Sequence, residues 1–214
     1  MKAKIKMVVD IVMLILFLMQ MAYHLIGDPL HEWMGIMLFV FVILHNILNR
    51  KYYLRLCKGK CTPMRFFYTA INLMLIISFL CVAASAVFLS ATVSSIFHLR
   101  AVLLGRKMHM VFTTWSFILM SAHLGLHWNR GIHVIKKQPK ELQFLCCISM
   151  MLASGYGLYA FISRELLQRM LFLSGYVFFD YEESVFLFIV DYIAILCLFS
   201  GITYGMKRFI AKQK

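Results

Sequence analysis

The stretch HEWMGIMLFVFVILHN, His31 to Asn46, sets two histidines fourteen residues apart around an apolar run. At about 1.5 Å and about 100° per residue, that interval covers roughly 21 Å of helix and returns nearly to the same face. In a bilayer it places one imidazole near each surface. The interval recurs once, between His109 and His123 in HMVFTTWSFILMSAH. Ionisable side chains inside a membrane helix are costly and need partners, so two pairs at one spacing call for an explanation.

Composition supports the membrane setting. The 214 residues are 62% hydrophobic and 14% charged, with a mean hydropathy of +0.81, which is far too apolar for a soluble domain. Windows of about 20 apolar residues predict six spans, near residues 8–26, 31–48, 66–90, 108–128, 142–162 and 185–206. The sequence thus predicts an all-α, six-span transmembrane bundle forming one domain over residues 1–214. Gly27-Asp28-Pro29 joins the first two spans as a tight turn. The first span is read as a true span rather than a cleaved signal, because it is too long and lacks a small-residue cleavage site.

The formal charge of +13 could point to nucleic acid, but its distribution argues against that. Seventeen of the 22 Lys and Arg fall in the N-terminal segment, the second and fourth loops and the tail. The opposite side has Arg100, Arg106, Lys107, Arg164 and Arg169, together with six of the acidic residues. Positive residues collect in cytoplasmic loops, so both termini are expected in the cytoplasm of a multi-pass protein of the cell membrane. Spans two and four then run in the same direction, with His31 and His109 at one depth near the outer surface and His45 and His123 at one depth near the cytoplasm.

Four histidines matched in height in this way fit two haems stacked across the membrane, His31 pairing with His109 and His45 with His123. A haem iron with both axial positions filled by neutral imidazole has no open site for oxygen and suits one-electron transfer. Zinc or porphyrin-free iron fits poorly, because ligands roughly 21 Å apart cannot share one ion. Gly35 and Gly125 are small enough for a ring to approach the backbone. Arg106 and Lys107 at the outer end, and Arg50 or Arg130 at the inner end, are candidate partners for haem propionates.

The remaining polar residues carry weaker signals. His24 and His127 are candidate competitors or neighbours of His31 and His123, whereas His98 and His133 fall in expected loops. A single membrane histidine can equally bond a neighbouring carbonyl. The six cysteines form no Cys-x-x-Cys pair, and Cys57 and Cys61 in CKGKC are a weak metal or redox candidate. Trp33 and Trp128 are expected as interface anchors. Residues 163–184 form an outer interfacial segment, with Leu166, Leu167, Met170 and Leu171 on one face. Asp10 and Asp191 are membrane carboxylates, explained either by proton exchange with a quinol or by helix pairing.

HEWMGIMLFVFVILHNILNRKYY, His31 to Tyr53, and GRKMHMVFTTWSFILMSAHLGLHW, Gly105 to Trp128, resemble the flavinylation-associated cytochrome family. They are also similar in spacing to the helix pair of the wider cytochrome b and ferric reductase group. The resemblance covers about half the chain, the first four spans, and extends to DYEES and VDYIAI between Asp180 and Ile195. It implies two haem b groups and export of electrons, from quinol or a cytoplasmic donor, to an extracytosolic flavoprotein or another redox partner. Unlike ferric reductases with their own flavin and nicotinamide domains, this sequence has no Rossmann glycine fingerprint. The expected role is therefore an electron-transfer component of an oxidoreductase system rather than a self-sufficient enzyme. Two alternatives stand beside it: a quinone-linked haem anchor subunit of a membrane complex, and a haem-free structural or transport protein.

Overall fold

The computed structural model describes residues 2–56, 60, 62–89, 99–173 and 182–212. Cys57, Cys61, His98 and Asp180 lie outside the described residues, as do the side chains of Arg100 and Arg130. Every regular element among the described residues is helical. In chain order these are α1 (Lys2–Met21), α2 (Tyr23–Ile26), α3 (Asp28–Leu48), α4 (Arg50–Tyr53), α5 (Pro63–Leu89), α6 (Leu99–Leu126), α7 (Asn129–Ile135), α8 (Lys140–Ser163), α9 (Leu166–Met170) and α10 (Val185–Lys212).

Six of these helices coincide with the expected spans, and four of them, α3, α5, α8 and α10, are long and apolar enough to cross a membrane. The other two fall short for visible reasons. Lys2, Lys4, Lys6 and Asp10 charge the first half of α1, and α6 is diluted by two histidines with Thr113, Thr114, Ser116 and Ser121. Yet α6 is the most enclosed helix of its unit, with Val111, Thr114, Ser116, Phe117, Ser121 and Leu126 all buried. A helix covered by other helices does not need to match lipid on every face. On α3, by contrast, Trp33, Ile36, Val40, Ile43 and Ile47 form an exposed apolar stripe suited to lipid.

The chain divides into two compact units. The first contains α1 to α4 and the start of α10, up to Ile189; the second contains α5 to α9 and the remainder of α10.

In the first unit α1 and α3 form an antiparallel hairpin. Gly27, at φ +76°, takes the left-handed conformation that the turn requires, and Pro29 sits in the first turn of α3 where its missing N–H is harmless. The register is pinned by polar bonds. Lys6 Nζ donates to Asn49 Oδ1 at 2.8 Å, Gln20 Nε2 donates to the His31 carbonyl at 2.9 Å, and the Tyr23 hydroxyl donates to Asp28.

In the second unit α5 and α6 pack antiparallel along their length. The Tyr68 hydroxyl donates to the Leu126 carbonyl at 3.0 Å, and Ser116 Oγ donates to Ser78 Oγ at 3.0 Å. A Cβ at Gly105 would stand 3.1 Å from Phe88 Cβ, so this glycine keeps the pair close. α10 joins through small residues, since a side chain at Gly125 or Gly157 would run into backbone of α10 at Ser200 or Ala194. Lys207 Nζ donates to the Leu126 carbonyl at 2.6 Å, placing a cation where the α6 macrodipole is negative.

The described part of the expected outer interfacial segment holds the short helix α9. Leu166 differs in exposure from Leu167 and Leu171. It is fully buried while those two are exposed. The cause is a tether: Trp115 Nε1 donates to the Met170 carbonyl at 3.1 Å, drawing α9 onto α6.

Asp191 pairs helices. Its carboxylate accepts from Arg164 Nε at 2.8 Å and from the Tyr156 hydroxyl at 2.6 Å, with only 14% of its side chain exposed. The Arg164 guanidinium also lies 5.5 Å from the centre of the Tyr192 ring. Arg164→Ala leaves the carboxylate largely buried with only the tyrosine donor, so it is expected to cost about 2 kcal/mol. A lowered midpoint of thermal unfolding in detergent checks this; Asp191→Asn, which removes the charge as well, should cost less.

Candidate functional site

His31 and His45 lie on the continuous helix α3, and His109 and His123 on the continuous helix α6, so both fourteen-residue intervals are helical throughout. Fourteen residues are also two heptads. The residue midway between each pair, Leu38 on α3 and Ser116 on α6, is buried in the hairpin seam. The repeated interval therefore has a packing cause as well as a possible ligand role, and the surroundings of each imidazole carry the chemistry.

Three of the four rings are held at Nδ1 from the neighbouring helix. His45 Nδ1 is 2.7 Å from Asp10 Oδ1 on α1. His123 Nδ1 is 2.7 Å from Asn72 Oδ1 on α5. His109 Nδ1 is 3.2 Å from Ser85 Oγ on α5. A carboxylate and an amide oxygen only accept, so His45 and His123 donate from Nδ1. The Ser85 proton goes to the Val82 carbonyl at 2.8 Å, which leaves its oxygen to accept from His109. Each bond fixes the tautomer with the proton on Nδ1, the one in which an imidazole ligates a metal through Nε2.

His45 has one further contact, because Asn49 Nδ2 lies 3.3 Å from its Nε2. That amide also donates to the His45 carbonyl at 2.9 Å, so it keeps a partner if Nε2 is taken. Around His31, the Tyr23 ring stands edge-on with centroids 5.0 Å apart. A Cβ at Gly35 would lie 2.8 Å from Gln20 Nε2, so Gln20 fills the space over this glycine. The room expected for a ring over Gly35 and Gly125 is thus used by protein, by Gln20 in one case and by the α10 backbone in the other.

The weaker candidates separate in position. The His24 side chain is only 4% exposed, with Nε2 at 3.4 Å from Glu183 Oε2 and the ring 5.2 Å from Phe188. His127 is exposed, its ring 4.8 Å from that of His123 and 6.2 Å from Tyr68. His133 belongs to the short helix α7 rather than to a loop, because the chain after Trp128 makes two further helical turns; its side chain is exposed. Arg106, Lys107 and Arg50 are exposed. Tyr53, beyond the end of α3, donates its hydroxyl to Asn46; burial, followed by the neighbouring Tyr52, pushes it above the usual phenol range and keeps it a donor.

Asn72 and Ser85 were not singled out by the sequence, since a neutral residue in an apolar run gives no sign of what it faces. Lys207 stood only as one of the tail charges, although it reaches within one turn of His123 on α6. Among the described residues no three of His, Cys, Asp and Glu gather as a metal held by side chains alone would need, whereas a haem needs two axial ligands.

Among the described residues the fold is all-helical, with four helices of membrane-spanning length and apolarity. No family model, curated protein or solved structure matches the chain.

Proposed function

We propose that this chain is a membrane cytochrome b with two haems, His31 and His109 holding one and His45 and His123 the other, and that it passes electrons across the cell membrane to an extracytosolic acceptor. The observation that supports the reading is the Nδ1 bonding of His45, His109 and His123, which selects on three of the four expected residues the tautomer of an Nε2 ligand. The pairing across helices rests on equal spacing and on the charge-derived topology, with both termini cytoplasmic. Bound by two imidazoles, haem supplies reversible one-electron chemistry without an oxygen site. The chain's own residues orient the ligands: Asp10, Ser85 and Asn72 hold the rings, and Lys207, Arg106, Lys107 and Arg50 offer positive charge toward the helix ends. A flavoprotein is the acceptor the family resemblance favours, with quinol or a cytoplasmic reductant as donor.

The second reading is a haem-free protein whose histidines only join helices. It is favoured by His45, which meets protein partners at both ring nitrogens.

A reduced-minus-oxidised spectrum with pyridine haemochrome quantification on the purified chain, expressed with ample haem, separates the two. The expected result is two b haems per chain. Absence of haem would sink the cytochrome reading in favour of the haem-free one.

A further inference from the structure

The three Nδ1 acceptors differ in charge, and that difference has a consequence for haem potential. His123 donates to a neutral amide and His109 to a neutral hydroxyl, but His45 donates to a carboxylate at 2.7 Å. A carboxylate draws the Nδ1 proton toward itself and raises the basicity of Nε2. A more basic axial ligand favours ferric over ferrous iron, which lowers the midpoint potential.

Lys6, one turn before Asp10, donates to Asn49. Asp28, near His31, accepts from the Tyr23 hydroxyl. The Asp10 side chain is 46% exposed, and one of its oxygens meets the imidazole. The register of the α1–α3 hairpin, fixed at Gly27 and by the Lys6–Asn49 and Gln20–His31 bonds, holds Asp10 opposite His45.

We propose that Asp10 is a positioning residue that makes the haem held by His45 the lower-potential one of the two. The inference rests on the cytochrome reading. The order favours electron movement from the His45 end toward the His31 end.

The test is a spectroelectrochemical titration of the full chain in phosphatidylcholine nanodiscs, for the wild type, Asp10→Asn, Asp10→Glu and His45→Ala. Two b-type components are expected, the lower one missing in His45→Ala. Asp10→Asn should raise that component and leave the other in place, and Asp10→Glu should hold it near the wild-type value. Two haems with both potentials unmoved in Asp10→Asn would overturn the proposal while leaving the cytochrome reading intact. So would loss of the higher component in His45→Ala. If Asp10→Asn loses haem, Asp10→Glu decides: haem restored with the low potential supports the proposal, and haem not restored overturns it. No haem in the wild type sinks the underlying reading instead.

Discussion

His45→Ala is expected to take the protein from two b haems to one, with the remaining haem keeping its spectrum. The argument is local. His45 sits in the α1–α3 seam with Nδ1 bonded to Asp10, and alanine removes the only imidazole that this helix offers at that end. His31 lies roughly 21 Å away along the same helix and is too far to substitute. His31→Ala should remove the other haem, and the double variant both. His123→Ala should match His45→Ala, because both rings are assigned to one haem. His127 tests that assignment: its ring lies 4.8 Å from His123, so a ligand switch would show as haem lost in His127→Ala and kept in His123→Ala. His133→Ala, exposed on α7, should change nothing. Haem content is read by pyridine haemochrome, with size-exclusion profile and far-ultraviolet dichroism confirming the fold of each variant. Two haems retained in His45→Ala would refute the assignment of that residue.

What the sequence disclosed follows from the range of each interaction. Helices and the turn at Gly27 depend on neighbours in the chain, so apolar windows and a Gly-Asp-Pro triplet were enough to place them. The partner of His45 was also within reach. Asp10 precedes Gly27 by seventeen residues and His45 follows Asp28 by seventeen, so a tight hairpin must set them opposite each other. The partners of His109 and His123 were not legible, because no comparable turn in the sequence fixes the register of α5 against α6. Asn72 and Ser85 acquire meaning only once that register is known. The seating of α9 depends on a distant contact of the same kind. Its face pattern is amphipathic, and the Trp115 bond to the Met170 carbonyl holds α9 where Leu166 is buried. The glycines also changed role, since Gly35 and Gly125 read as space for a ligand and are instead space for Gln20 and for the α10 backbone.

That last role gives the largest expected stability effect. Gly157 and Gly155 stand two residues apart on α8, and their surroundings are opposite. A Cβ at Gly157 would overlap the Ala194 carbonyl of α10, whereas a Cβ at Gly155 meets nothing within 4 Å. The obstacle at Gly157 is backbone, which has no rotamer to change, and Ala160 beside it is completely buried, so α8 cannot move out without opening the contact. Small residues let membrane helices approach this closely, and the dispersion contacts they permit replace the hydrophobic force that lipid does not supply. Gly157→Leu is therefore expected to cost about 3 kcal/mol or more, the upper end for overpacking. Gly155→Leu should be neutral within about 0.5 kcal/mol, or slightly stabilising through helix propensity. Both substitutions add the same apolar side chain to the same helix, so insertion and lipid contact change alike and only the α8–α10 approach differs. Unfolding midpoints of the two variants in one detergent should diverge strongly. Equal midpoints would mean that α8 and α10 do not meet through Gly157.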